Sequence, residues 1–535
     1  MNGLLTMRAA AIFLAAVLSR NVAAHVEPVP VSAHTEQGEL KGELQAGLSI
    51  FRGIPYAAPP VGELRFRPPR PAPTWSGVRM ALDMGPACPQ LIDDDPTENN
   101  ESVMAEDCLT VNVWTPRADH RKRPVMVWIH GGAFVVGSSR NTFYDGANLA
   151  ARGDVVVVSL NYRLGAWGFL DLQDALGSAY AGTANLALQD QICALQWVRR
   201  NIANFGGDPA NVTIFGESAG ASSVGALLSM PQAAGLFSRA ILESGVPSKR
   251  SVDDRERSAR LATQYLKLLG VGSAVELAAR PMRALLDAQR ELFNGTGDLG
   301  TFVPWVDGTV IKEQPFAVVA EGRGNPVPIL IGTTAEEMRY FSTAEDLGIE
   351  RKPRDLLLKQ LEAVAGPRAQ EILSTYQRLY PDWGDMVVQI ASDAIMRLPS
   401  IELAERAAAH EPVYMYLFTY RSTSAYKKFG SAHAMEVPFV FGVEDRPEVI
   451  VFSGRDPRRH ELADQVMDRW VAFARTGNPG VKGGPPWLPY DGQKRFTMEL
   501  GFPLRGVEDP LAEQRIVWGS TQPTVRQAWP FLLQN

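Results

Sequence analysis

A chain of 535 residues is longer than the roughly 250 to 300 at which one hydrophobic core usually stops growing, so two domains or one large insertion-rich domain is expected. With 45% hydrophobic and 21% charged residues the composition is globular, which excludes a disordered or fibrous chain. The formal net charge of −6 leaves no basic footprint, which argues against a nucleic-acid or anionic-membrane partner.

Taken from the amino end, Arg8 followed by the apolar run Ala9 to Ser19 and the small residues Val22, Ala23 and Ala24 reads as a secretory signal peptide, residues 1–24, cleaved after Ala24. That run is shorter than the ~20 residues a bilayer span requires, and no later stretch reaches that length. A secreted or periplasmic protein without a membrane span is therefore expected. Further on, Cys88 and Cys108 bracket the acidic segment DDDPTENNES and make a candidate disulfide, worth about 3 kcal/mol if chain entropy is its source. Cys193, inside the helical pattern QDQICALQWVRRNI, reads as a small buried hydrophobe.

From residue 124 onward, apolar runs alternate with helical patterns. The strand-like runs are PVMVWIHGG (124–132), DVVVVSLNYR (154–163), NVTIFG (211–216), FSRAILESG (237–245), PVPILIGTT (326–334) and PVYMYLFTYR (412–421). Helices are expected at Leu186 to Ile202 and Ala219 to Leu228, with charged helical insertions at Asp253 to Leu292 and Pro353 to Tyr380. Continuous Val/Ile runs with helices between them require a mostly parallel sheet covered on both faces, so the fold class is α/β. No linker or repeat divides residues 25–535, which are read as a single domain with helical insertions.

Within that pattern, GESAG (216–220) follows a strand and opens a helix. A serine at such a turn presents its hydroxyl at the strand's carboxyl end, and the backbone N–H of Ala219 faces a developing oxyanion. HGGAF (130–134) supplies a second turn of small residues at a strand end, where backbone N–H groups approach a substrate oxygen. A serine hydroxyl needs an imidazole to take its proton and a carboxylate to orient that imidazole, in the chain order serine, acid, histidine. Of the histidines after Ser218, His410 and His460 lie in charged surface-like stretches, while His433 sits in the small-residue loop of FGSAHAMEVPFVFG. For the acid, Glu336 and Glu337 both follow the strand ILIGTT directly, and the pattern leaves the choice between them open.

These blocks, together with FRGIPYAAPPVGELRF (51–66), EDCLTVNVWTP (106–116), NYRLGAWGFL (161–170), FVPWVDG (302–308) and HAMEVPFVFG (433–442), resemble the type-B carboxylesterase and cholinesterase family of α/β-hydrolases. The resemblance implies an α/β-hydrolase fold and a serine carboxylesterase without metal or cofactor. Its substrates would be small-molecule esters, and it fixes no oligomeric state. Carried over by position, it implies Ser218 as nucleophile, Glu337 as acid and His433 as base, with the N–H groups of Gly132, Ala133 and Ala219 as the oxyanion hole. It also implies the Cys88–Cys108 disulfide and the buried ion pairs Arg65–Glu106 and Arg163–Asp190.

The departures bear on substrate. Met338 stands where the family often has glycine after the acid, and the loop between Cys88 and Cys108 has no aromatic residue. Cholinesterases hold choline there on a tryptophan face, so no choline preference is expected. Asp298, Leu299 and Gly300 replace the acyl-pocket aromatics of the cholinesterases, which implies a wider pocket and tolerance of bulky neutral esters. Amide, thioester or lipid hydrolysis by the same triad, and a non-catalytic binding role on the same fold, are the rival readings.

Overall fold

The computed structural model describes residues 29–91, 103–247, 255–296, 299–343 and 348–519. The expected signal peptide, most of the segment between Cys88 and Cys108, and Asp298 lie outside the described residues.

The described residues form thirteen strands in one sheet. In chain order these are β1 (Val29–Thr35), β2 (Gly38–Gln45), β3 (Leu48–Pro55), β4 (Val78–Met80), β5 (Thr110–Thr115), β6 (Arg123–Ile129), β7 (Val156–Leu160), β8 (Gly207–Glu217), β9 (Arg239–Glu243), β10 (Ile329–Thr334), β11 (Val413–Phe418), β12 (Phe496–Leu500) and β13 (Arg505–Glu508). The spatial order is β1-β2-β3-β5-β7-β6-β8-β9-β10-β11-β12-β13, with β4 beside β2. From β7 through β12 every neighbouring pair is parallel. The expected apolar runs supply β6 to β11, and every residue of β6, β7, β10 and β11 is buried. Helices cover both faces there, so each side chain of a strand meets a core on one side or the other.

The antiparallel margins are additions to what the sequence pattern indicates. β1 to β3 form a meander in which β1 and β2 set buried residues such as Ala33 and Leu40 between more exposed ones while β3 is largely buried, and β13 closes the far edge beside β12.

One face of the sheet packs on helices Leu186–Asn201 and Ala219–Ser229, through residues such as Leu188, Leu195, Val224 and Leu227. The other packs on helix Arg459–Thr476, with Trp470 against Tyr416 and Phe473 against Tyr414 of β11. Helix Leu186–Asn201 passes into a short tighter turn, Ile202–Phe205, and stops at Gly206, whose φ of 83° suits a residue without Cβ. Val127 and Ile214, register partners on β6 and β8, are both fully buried. Truncating Ile214 to alanine there is expected to cost roughly 2 to 5 kcal/mol. Helices Arg354–Ala365, Ala369–Leu379 and Trp383–Ser392 gather around Met338 in a third core, the inserted helical layer. No helix among the described residues is long and apolar enough to cross a membrane.

Register brings the carboxyl ends of the central strands level. Ile129 pairs with Gly216, and Glu217 with Glu243, so the turns after β6, β8 and β9 emerge side by side. The turn after β10 and the long loop after β11 join them at that edge.

Candidate active site

The backbone turns hard where β8 ends. Ser218 has φ 56° and ψ −119°, a sparsely populated conformation for a residue with a side chain, and the helix Ala219–Ser229 begins at the next residue. Such a conformation costs of order 1 to 3 kcal/mol and persists only where its surroundings fix it. Here the Ser218 N–H donates to Glu243 O at 2.9 Å, and its carbonyl accepts from Ser222 N–H at 2.9 Å. The flanking glycines are steric necessities. A Cβ on Gly220 would lie 2.0 Å from Ile129 O, and one on Gly216 would lie 2.5 Å from the same atom. Ser218 is half-buried, so its side chain retains access to solvent.

Alongside, the chain leaves β6 through Gly132 (φ 102°), Ala133 (φ 51°) and Phe134 (φ 67°), three successive left-handed residues. Gly132 O accepts the N–H groups of both Val135 and Val136 at 3.0 Å, which curls the turn. Curled backbone of this kind gathers N–H groups into an anion-binding concavity. It also lies against the serine, since a Cβ on Gly131 would come 3.3 Å from Ser218 Cβ. His130 braces the turn by stacking on Tyr162, ring centroids 4.4 Å apart, and burial lowers its pKa to about 4, which keeps it neutral. Gly132 and Ala133 are half-buried, and Ala219 sits at the first position of the helix.

His433 lies in the loop after β11 with its ring buried. Its Nδ1 is 2.6 Å from Glu337 Oε2, and because an ionised carboxylate only accepts, Nδ1 carries the proton. Glu337 is itself fixed. Its Oε1 accepts from Thr334 N–H at 2.7 Å, and its carbonyl accepts the His433 N–H at 3.1 Å. Met338 leaves this arrangement intact, because its side chain points into the inserted helical core and its N–H donates to Ser392 Oγ at 3.0 Å. Glu336 is also buried, but it bonds Ser431 and Arg339.

The sequence pattern did not single out Glu217, the residue between Gly216 and Ser218. Its Oε1 lies 3.0 Å from His433 Nε2. The imidazole is thereby bracketed by carboxylates. Burial opposes its charge, yet Glu217 and Glu337 outweigh burial and hold its pKa well above the ordinary histidine value. Burial raises the pKa of Glu217, against the attraction of His433. Two further glutamates stand behind. Glu436 accepts from Ser244 Oγ at 2.9 Å and Tyr416 OH at 3.1 Å, and burial, with Glu337 and Glu217 near it, pushes its pKa to about 8. Glu243 accepts from Trp470 Nε1 at 2.7 Å, and burial raises its pKa too, reinforced by Glu436. A glutamate beside an elbow serine and another three residues after the histidine are sequence signals only once the loops are known to converge.

The remaining expectations concern architecture. Cys88 and Cys108 are bonded, and Cys193 is free and buried. Arg65 Nε meets Glu106 Oε2 at 2.6 Å, while Arg163 Nη2 and Asp190 Oδ1 pair at 2.6 Å in full burial. His410 and His460 are both exposed, and His460 pairs with Glu444. Leu299 and Gly300 fall in a short turn, Leu299–Thr301.

A large, mostly parallel sheet with a nucleophile-elbow turn at a central strand end defines an α/β-hydrolase. Comparison narrows this: the model of the carboxylesterase family matches residues 30–518, and the chain belongs to that family. The para-nitrobenzyl esterase of Bacillus subtilis (strain 168) is 38% identical over 488 residues, covering 90% of this chain and 97% of the relative. The liver carboxylesterase of Sus scrofa is 34% identical over 539 residues, covering 91% and 92%. Among solved structures, the carboxylesterase EST55 of Geobacillus stearothermophilus superposes with a TM-score of 0.82 at 38% identity, covering 91% of this chain and 99% of that one. The protein is accordingly a carboxylesterase, a hydrolase of small-molecule carboxylic esters.

Proposed function

We propose that the protein hydrolyses neutral carboxylic esters through an acyl-enzyme on Ser218, with His433 as general base and acid and Glu337 orienting the imidazole. The observation that carries this reading is the 2.6 Å contact between His433 Nδ1 and Glu337 Oε2 on a buried ring, at the sheet edge where the strained Ser218 turn emerges. Ser218 Oγ attacks the ester carbonyl carbon while its proton passes to His433 Nε2. The carbonyl oxygen gathers negative charge and takes hydrogen bonds from the N–H groups of Gly132, Ala133 and Ala219. Each preorganised donor of this type is typically worth about 3 to 4 kcal/mol to the transition state. The imidazolium formed in this step sits between Glu217 and Glu337, which stabilise its charge. His433 then protonates the leaving alcohol, activates a water, and the acid is released with Ser218 restored.

No metal or cofactor takes part in this scheme. Leu299 and Gly300, in place of aromatic rings, favour a wide acyl pocket and neutral substrates of medium or bulky acyl size. The name of the Bacillus subtilis relative makes a para-nitrobenzyl ester a sensible first substrate. An ester is preferred over an amide or thioester because the relatives are esterases by name. In the same reading residues 1–24 direct export to the periplasm or outside the cell, and 25–535 form a single catalytic domain without a nucleic-acid partner. The deciding experiment pairs Ser218→Ala with kinetics on a para-nitrobenzyl ester. Loss of several orders of magnitude in kcat is expected, and retention of more than about a tenth of the activity overturns the assignment.

A further inference from the structure

Glu336, the neighbour of the proposed acid, bonds the histidine's loop at its root. Its N–H donates to Ser431 O at 2.8 Å, and its Oε2 accepts the Ser431 N–H at 2.9 Å, a closed ring two residues before His433. Oε1 accepts from Arg339 Nη2 at 3.0 Å, and Arg421 Nη1 lies 2.9 Å from Oε2. Arg339 Nη2 also reaches Asp385 Oδ1 at 2.6 Å, and Lys428 Nζ stands 3.7 Å from that oxygen. The fit is close. Gly430 has φ 61°, and a Cβ there would fall 2.3 Å from Glu336 Oε2. Both loops hang from the same strand end, because Ala335 N–H and Ser431 Oγ each donate to Phe418 O, at 2.9 and 2.8 Å.

We propose that Glu336 is a positioning residue for ester hydrolysis, clamping the loop of His433 to the loop of Glu337 so that the imidazole keeps its alignment. The proposal rests on the triad reading given above. Charge-assisted hydrogen bonds are shorter and roughly twice as strong as neutral ones, and this carboxylate accepts them from the Ser431 N–H and the Arg339 guanidinium, with Arg421 beside it as an ion-pair contact. Alignment is what the reaction needs, since a misplacement of about 1 Å in a reacting group costs on the order of 100-fold in rate. Arg421 is largely exposed, so water screens its share, whereas Arg339 and the Ser431 N–H act inside the protein.

The test compares wild type with Glu336→Gln, Glu336→Asp, Glu337→Gln and Arg421→Met on one neutral ester, measuring kcat, KM and the pH dependence of kcat/KM on folded protein. Glu336→Gln is expected to lower kcat roughly 10- to 100-fold with KM near the wild-type value. The acidic limb of its profile should move down by about half a pH unit, because a loosened imidazole loses part of the anionic surroundings that raise its pKa. Partial unfolding lowers apparent kcat without moving that limb, and Glu336→Asp, which keeps the charge, should recover part of the rate. Arg421→Met leaves the buried contacts in place and should lose no more than about threefold. Wild-type kcat and profile in Glu336→Gln, beside a nearly dead Glu337→Gln, overturn the clamp and leave the triad standing. An active Glu337→Gln overturns the triad reading and the clamp with it. If Glu336→Gln does not fold, Glu336→Asp decides, because its shorter side chain keeps the charge but cannot span both the Ser431 N–H and Arg339: a loss of about 3- to 10-fold in kcat with a lowered acidic limb supports the clamp, and wild-type kcat and limb overturn it.

Discussion

Two buried ion pairs in this molecule are made of similar groups and behave differently. Arg163 and Asp190 meet through both carboxylate oxygens, at 2.8 and 2.6 Å, and the Arg163 N–H adds a third bond at 3.1 Å. His433 lies between Glu337 and Glu217, yet only its Nδ1 contact is a well-aligned hydrogen bond. Nε2 and Glu217 Oε1 are close without hydrogen-bond alignment. A saturated pair holds parts together. A pair with an unused nitrogen stores a proton-transfer site, and burial makes that site costly to leave unpaired. The difference separates structural charge from chemical charge at comparable burial.

The comparison breaks first at the serine. Ser218→Ala should lower kcat by about 10⁵-fold or more while thermal stability stays within a few degrees of wild type, because triad members act as a unit. Steady-state kinetics beside a melting curve reads both. Next, Glu337→Gln should lower kcat roughly 10³- to 10⁴-fold, since the neutral amide no longer favours the tautomer with a free Nε2. If it costs no more than an average surface change, another carboxylate orients the ring. Neither Asp307 nor Asp393 stands ready for that: the first accepts the N–H groups of Thr309, Val310 and Ile311, and the second pairs with Arg397. The structural pair should give the opposite signature. Arg163→Met strands a buried carboxylate and is expected to cost about 3 to 5 kcal/mol in denaturant unfolding, with kcat per folded molecule nearly unchanged.

A smaller effect sharpens the chemical side. In its proposed role as base His433 must be neutral, so activity should fall as pH drops through its raised pKa. Glu217→Gln removes one anion that raises it, and the acidic limb of kcat/KM should move to lower pH by about one unit. An unmoved limb would mean that Glu217 has no hold on the imidazole. The smallest expected effect is a null: a choline ester and its uncharged carbon isostere should differ in kcat/KM by less than about threefold, since no cation–π term favours the cation.

The same contrast explains what was legible in the sequence. The runs that became β6, β7, β10 and β11 are dominated by apolar residues because both of their faces are covered, and that made them readable without partners. β2, GELKGELQ, has one wet face and lies near the sheet margin, so its charges hid it. Ser218, His433 and the pair Glu336–Glu337 were marked by position after strands and by chain order. What separates the two glutamates is which loop each side chain meets, a fact of tertiary geometry. Glu217 was hidden for a similar reason, since its contact is with a residue more than two hundred positions later. Met338, a departure from the family's pattern, has its explanation in the inserted helices that bury it.

The parallel order of the central strands also sets a timetable for synthesis. The curled turn after β6 and the strained serine after β8 are translated by residue 220, the proposed acid follows at 337, and the proposed base arrives only at 433. β10 beside β9, and β11 beside β10, are what bring Glu337 and His433 to the elbow. Chains grow from the amino end at roughly 5 to 20 residues per second, so a ribosome carries the proposed nucleophile for about ten seconds or more before its proposed base exists. On the proposed triad, a truncated or nascent chain has a serine at the turn but no means to activate it, and activity should appear only when the carboxyl-terminal third is in place.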